Sequence, residues 1–229
     1  MGAATRRFAW IAALIVLSSS AAAGTIDTGA LERRWPKERV RETEVGRYPV
    51  RWREWASRKD GVRTGVRFLA PLGRQAVWDF ATDYKDVGTH VPGVTAVRFL
   101  EESPTRQVIQ LDIKVLWKIL QLTFEVERDP PNALRFRLAN QAIGEYLGLC
   151  TFEEASGLAT RDDSKPATTV ELSTWLKPSR PIPLGLVLLV ERMTLLPGVK
   201  NFLKGCEQAA SSKPQAAGIR SLIAMRLEA

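Results

Sequence analysis

The strongest constraint on this chain is the two-residue period in "QVIQLDIKV" (107–115) and "LQLTFEVER" (120–128). Ile109, Leu111, Ile113 and Val115 alternate with Gln110, Asp112 and Lys114; Leu122, Phe124 and Val126 alternate with Gln121, Thr123, Glu125 and Glu127. Side chains on a strand point to opposite faces in turn, so these segments predict strands with one dry face and one wet face. The same kind of segment recurs at 62–70, 95–102, 133–139, 146–154 and 168–176. Short turns between them predict an antiparallel sheet, which needs a cover on its dry face only. One helix interrupts the series, "PLGRQAVWDFATDY" (71–84), with Pro71 suited to its start and Ala76, Phe80 and Ala81 at helical spacing.

The cover has to come from the end of the chain. Wound as a helix, the segment from Leu184 places Leu188, Leu195, Leu196, Val199, Phe202, Leu203 and Cys206 with it on one broad stripe. It is not a membrane span: the apolar run between Pro183 and Pro197 is too short and contains Glu191 and Arg192. Leu186, Val190 and Met193 make its first half apolar nearly all round, as at an end buried on both sides or one touching a membrane or partner. Arg192 falls within the sheet-facing stripe, where an unpaired guanidinium is prohibitively costly, so it must meet a carboxylate such as Asp112, water, or the polar part of a ligand. Pro197–Gly198 predicts a kink.

The two ends add a destination. Arg6 and Arg7, the apolar run "FAWIAALIVL" and the small residues "SSSAAAG" read residues 1–23 as a signal peptide; a retained anchor is the alternative. Export makes nucleic acid an improbable partner for a chain of net charge +8 and favours anionic lipid or an envelope polymer. It also permits a disulfide between Cys150 and Cys206, although two buried thiols fit as well. Residues 24–61 are a dense mixture of Arg, Glu and Trp and read as an N-terminal extension. Within it "YPVRWREW" predicts an edge strand, or a surface on which Trp52 and Trp55 touch lipid headgroups. Residues 209–229 read as a tail, frayed or amphipathic, with Ile219, Leu222 and Ile223 at helical spacing. The turn "KVLWKIL" (114–120) carries Leu116 and Trp117 at its tip, either as part of a longer buried sheet or as a membrane-touching element.

Taken in order, these elements resemble the START-like (SRPBCC, Bet v 1-like) superfamily, in its polyketide cyclase/dehydrase and coenzyme Q-binding branch. The resemblance covers residues 62–208. It rests on Val77, Trp78 and Asp83-Tyr84 in the first helix, Val91-Pro92 after it, Asp129-Pro130-Pro131 between strands, Gly148 with Phe152, and "LKPSRPIP" before the last helix. It implies an α+β helix-grip fold, a curved antiparallel sheet wrapped around a long C-terminal helix, with an apolar cavity between them that holds lipids, quinones, polyketides or similar molecules, in many members without catalysis. Two features depart from the family pattern: Cys150 stands where relatives often carry a Trp, and the compact members lack the Arg-rich extension.

Chemistry-bearing motifs are few. A single histidine, His90, leaves metal clusters and histidine-based relays short of parts. No phosphate-binding or dinucleotide fingerprint is present, so no metal or cofactor is expected. An enzyme on this scaffold would have Arg192, His90 (near Tyr84), Tyr146 and Asp112 to steer protons. The better expectation is an exported, non-catalytic binding protein for a hydrophobic small molecule or lipid, with possible contact to anionic membrane. The residues expected to line the cavity are Trp78, Leu111, Ile113, Leu122, Phe124, Phe136, Cys150, Phe152, Leu188, Arg192 and Leu196, with Arg192 orienting a polar head. A third class is an envelope interaction module working through the basic extension.

Overall fold

The computed structural model describes residues 25–32, 35–83, 93–115, 118–155 and 166–227. The expectations for residues 1–23, Tyr84, His90, Val91-Pro92, Leu116, Trp117 and the tail side chains beyond 211 fall outside the described residues. Among those described, nine strands form one antiparallel sheet: β1 (Arg39–Val45), β2 (Tyr48–Ser57), β3 (Gly61–Ala70), β4 (Val94–Glu102), β5 (Arg106–Val115), β6 (Lys118–Asp129), β7 (Ala133–Leu138), β8 (Gly144–Glu154) and β9 (Thr168–Pro178). Their order is β1-β2-β3-β9-β8-β7-β6-β5-β4, so the first three strands join the other six only through β3 and β9. The helices are α1 (Gly29–Glu32), α2 (Arg74–Thr82) and α3 (Leu184–Leu227). This is the helix-grip arrangement, a curved open sheet with a long C-terminal helix.

The register brings apolar side chains of neighbouring strands side by side on the inner face. Val50, Val66, Phe68, Val126, Phe152 and Val170 are buried there, together with Trp52, and form the core with Val77 and Trp78 of α2 and Val199, Leu203 and Cys206 of α3. Fully burying side chains of this size contributes about 1.5–3 kcal/mol each. Helix α3 lies over β1, β2 and β3 and against α2. The contact with α2 is close because residue 205 is glycine: a Cβ there would stand 2.2 Å from the Phe80 ring.

Several expectations change at this level. The segment "YPVRWREW" is not an edge strand: β2 lies between β1 and β3, pairing Arg41 with Trp52 on one side and Trp52 with Val66 on the other. Strict alternation explains it, because Val50, Trp52 and Glu54 face inward, all buried, while Arg51 stays in solvent. Residues 58–60 form the turn that joins β2 to β3. Trp52, far from a lipid headgroup, is 2% exposed. Helix α2 begins at Arg74 rather than Pro71, with Gly73 at its N-cap. Helix α3 continues through Pro197 and Gly198 and past residue 208. Cys150 and Cys206 are free.

Residues 25–32, together with Trp35, lie over the outer face as a strap. The Ile26 backbone N–H donates to Glu127 Oε1 of β6 (2.8 Å), Leu31 packs on Ala133 and Leu149, and the Arg53 guanidinium sits 5.1 Å from the centre of the Trp35 ring. Trp35 approaches β3 at Gly65, where a Cβ would come within 3.4 Å of its ring. At the opposite edge, β4 pairs only with β5 and its register slips twice, between Val94 and Ala96 and between Phe99 and Glu101.

Candidate functional site

The helix covers only part of the inner face. From β4 to β8 that face carries Val97, Phe99, Leu111, Ile113, Phe124, Phe136 and Tyr146, all apolar or aromatic and all part-exposed, Phe99 at 41%. Phe124, Phe136 and Tyr146 form an aromatic wall: Phe124 meets Phe136 and Tyr146 edge-on at 6.2 and 5.9 Å, and Phe136 stacks on Tyr146 at 6.2 Å. The wall depends on Gly148, because a Cβ there would lie 2.0 Å from the Phe136 ring, which occupies that space. Helix α3, whose Leu188, Leu195 and Leu196 are part-buried, lies over β1 to β3 at one side of this face. The part-exposed apolar surface left beside the helix is an open trough rather than an enclosed cavity.

The sequence-predicted residues divide between trough and core. Leu111, Ile113, Phe124, Phe136 and Cys150 are part-exposed and share the inner face, with Leu122 among them but 6% exposed; Leu188 and Leu196 belong to the helix side. Trp78 and Phe152 are 3% and 2% exposed and pack edge-to-face at 5.6 Å in the core, so they support the trough without lining it. The Cys150 thiol, opposite Leu172 and Leu134, is pushed up to about 12 by burial and then by Glu171, and Cys206 to about 12 by burial and then by Glu207; both are inert packing groups.

Arg192 does face the sheet, but its partner is not Asp112. Asp112 points to the outer face, where Arg98 holds it through Nη2 at 2.7 Å. The alternation that sends Leu111 and Ile113 inward sends Asp112 outward, so it never faces α3. Arg192 instead donates from Nη2 to Glu54 Oε2 (2.5 Å), and the Trp52 indole N–H donates to the same oxygen (3.0 Å). Burial opposes ionisation of Glu54, but Trp52, Arg192 and Arg41 outweigh it and hold the carboxyl below its usual range. Arg192 is thus engaged with the protein rather than aimed at the trough.

One polar cluster escaped the sequence reading. Glu54, Thr64, Thr174, Gly148 and Phe136 are successive cross-strand partners on the inner face, so a single row leads from beneath the helix into the trough. Glu191 descends onto this row: its Oε2 lies 3.2 Å from Thr64 Oγ1 and 3.4 Å from Thr174 Oγ1, while the two hydroxyls stand 2.6 Å apart. Burial, opposed by the hydrogen bonds from the two threonines, raises this carboxyl above its usual range. Tyr146, at the end of the aromatic wall, is raised well above the usual phenol range by burial and then by the nearby Glu191. Glu191 was legible only as an acid interrupting an apolar run; its threonines lie on strands 110 residues apart.

Among the described residues no helix is long and apolar enough to cross a membrane, and no three His, Cys, Asp or Glu residues gather as metal ligands. The family described as polyketide cyclase/dehydrase and lipid transport matches residues 71–203, more than half of the chain. No curated protein matches the sequence. Among solved structures, the STAR-related lipid transfer protein from Xanthomonas axonopodis aligns over 73% of this chain and 98% of its own, at 12% identity and a TM-score of 0.54. The Zhui aromatase/cyclase from Streptomyces sp. R1128 aligns over 66% of this chain and 96% of its own, at 17% identity and a TM-score of 0.52. TTHA0849 from Thermus thermophilus aligns over 66% and 99%, at 20% identity and a TM-score of 0.50. At these identities the likeness is one of fold.

Proposed function

The chain belongs to the polyketide cyclase/dehydrase and lipid transport family, and from that premise we propose that it is an exported, non-catalytic binding protein for a hydrophobic small molecule, a lipid, quinone or similar compound, held in the trough beside α3. The observation that carries this reading is a set of apolar and aromatic side chains on the inner face, Val97, Phe99, Leu111, Ile113, Phe124, Phe136 and Tyr146, left part-exposed between β4 and β8. A monomer loses stability by keeping such a surface wet, and a ligand recovers it at about 25 cal/mol for each Å² covered. The signal-like residues 1–23 support export. Leu186, Leu189, Val190 and Met193, 51, 49, 48 and 66% exposed on α3, with Ile119 at 66%, support contact of the trough mouth with an anionic membrane, from which an apolar ligand would enter.

Native mass spectrometry of the protein purified from its own envelope, with extraction of what co-purifies, tests the reading. A stoichiometric apolar compound is expected, and Leu111→Arg, which places a charge in the trough at a part-exposed position, should abolish its retention while circular dichroism stays unchanged. A protein that arrives empty and takes up no apolar probe overturns it. A second reading, a cyclase-type enzyme, is favoured by one observation, the raised carboxyl and phenol of Glu191 and Tyr146 close together beside an apolar trough. Turnover of a polyketide substrate that vanishes in Tyr146→Phe, with binding intact, would establish it.

A further inference from the structure

We propose that Glu191, with Thr174 and Tyr146, forms the polar end of the trough and selects ligands that terminate in an uncharged hydroxyl over those that terminate in a carboxylate. The inference rests on the binding function above and gives it a head-group chemistry.

Both threonine contacts of Glu191 fall on Oε2, one from Thr64 and one from Thr174. Among the described residues Oε1 has no such partner, and a carboxyl oxygen accepts up to two donors. Glu191 and Tyr146 are both part-exposed as residues. The aromatic wall leads to them: Tyr146 stacks on Phe136, Phe136 lies over Gly148, and Gly148 is the cross-strand partner of Thr174. An apolar body lying along the aromatic wall therefore meets hydroxyl and carboxyl oxygens at the place where the wall runs under α3.

The charge pattern decides which head group fits. Arg192, the cation next along the helix, already donates to Glu54, itself held by Trp52. What faces the trough end is a carboxyl, two threonine hydroxyls occupied with one another and with that carboxyl, and the Tyr146 phenol, which shares a hydrogen bond with Thr174. A ligand hydroxyl donates to Oε1. A ligand carboxylate has no hydrogen to donate there, and it meets either a second negative charge or a neutral acceptor at the cost of its own hydration.

The test uses the full chain loaded with diphenylhexatriene, an uncharged hydrocarbon that fluoresces in apolar surroundings, displaced by 1-dodecanol or by dodecanoate at pH 8. The expected result is displacement by dodecanol at a concentration lower by about tenfold or more, the worth of one buried hydrogen bond and an avoided charge burial. Glu191→Leu should shrink that ratio at least about fivefold while diphenylhexatriene still binds, and Glu191→Gln, which keeps one oxygen for the threonines but turns an N–H donor towards the ligand, should shrink it as well. Because leucine removes the acceptor the two threonines use, the glutamine variant guards against a folding defect. Preference for dodecanoate in the wild type, or an unchanged ratio in Glu191→Leu, overturns the head-group proposal alone. Failure of the protein to take up diphenylhexatriene or either competitor overturns the binding function on which it rests.

Discussion

Replacing Arg192 by methionine removes the cation and leaves the rest of the Glu54 environment in place. Glu54 is 3% exposed and keeps its bond from Trp52, while Arg41, at 3.7 Å, is more than half exposed and screened by water. Breaking a buried ion pair from one side costs about 3–5 kcal/mol. Arg192 is itself 35% exposed, so the lower end applies, about 3 kcal/mol, or a fall in Tm of about 6–12 °C for a domain of this size. The sign with pH follows from the direction of the Glu54 shift. A carboxyl held below its usual range stabilises the fold above its unfolded pKa, and that contribution fades as the pH falls through the folded value. The loss on removing Arg192 should accordingly be largest near neutral pH and shrink towards pH 4, where the carboxyl left behind takes up a proton. Urea unfolding at both pH values reads it, and Glu54→Leu combined with Arg192→Met should recover most of the stability, since apolar replacements of a buried pair are tolerated. A single variant that loses less than about 1 kcal/mol at pH 7, or a double variant no better than the single, would refute the assignment of Arg192 as a structural partner.

Gly148→Val places its side chain in the space of the Phe136 ring; a loss of about 1–3 kcal/mol and weaker uptake of apolar probes are expected from thermal unfolding and probe titration. Cys150 and Cys206, with thiols raised to about 12, should resist a thiol reagent in the native protein and react together only as it unfolds; rapid labelling of the folded chain would contradict their packing. Leu31→Asp, on the strap over Ala133 and Leu149, should cost about 2 kcal/mol or more in urea unfolding, whereas a dispensable strap would show no change.

The strands from β3 to β9 were legible because their alternation is unambiguous, and their observed limits lie within one or two residues of those expected. β2 was harder: Val50, Trp52 and Glu54 alternate with Arg51, Arg53 and Trp55, a proper two-residue period obscured because both faces carry charge. That single misreading hid Glu54, and with it the true partner of Arg192, 138 residues away. Asp112 was excluded by parity, a rule already applied to its neighbours. The Thr64–Thr174–Glu191 cluster had no local signature at all, since threonine is an ordinary strand residue and only the register between β3 and β9 brings the hydroxyls together.

The irregular pairing of β4 bears on solubility. An unclosed sheet presents a row of unsatisfied amides and carbonyls along its rim, and a rim next to exposed Phe99 and Leu100 invites another chain to extend the ladder. The two register slips break the regular spacing such a ladder would need, and Arg98, Glu101 and Glu102 add charge along the same strand. A sheet that leaves greasy surface open beside such a rim is thereby kept from seeding a fibre, and straightening β4 should be expected to produce polymers.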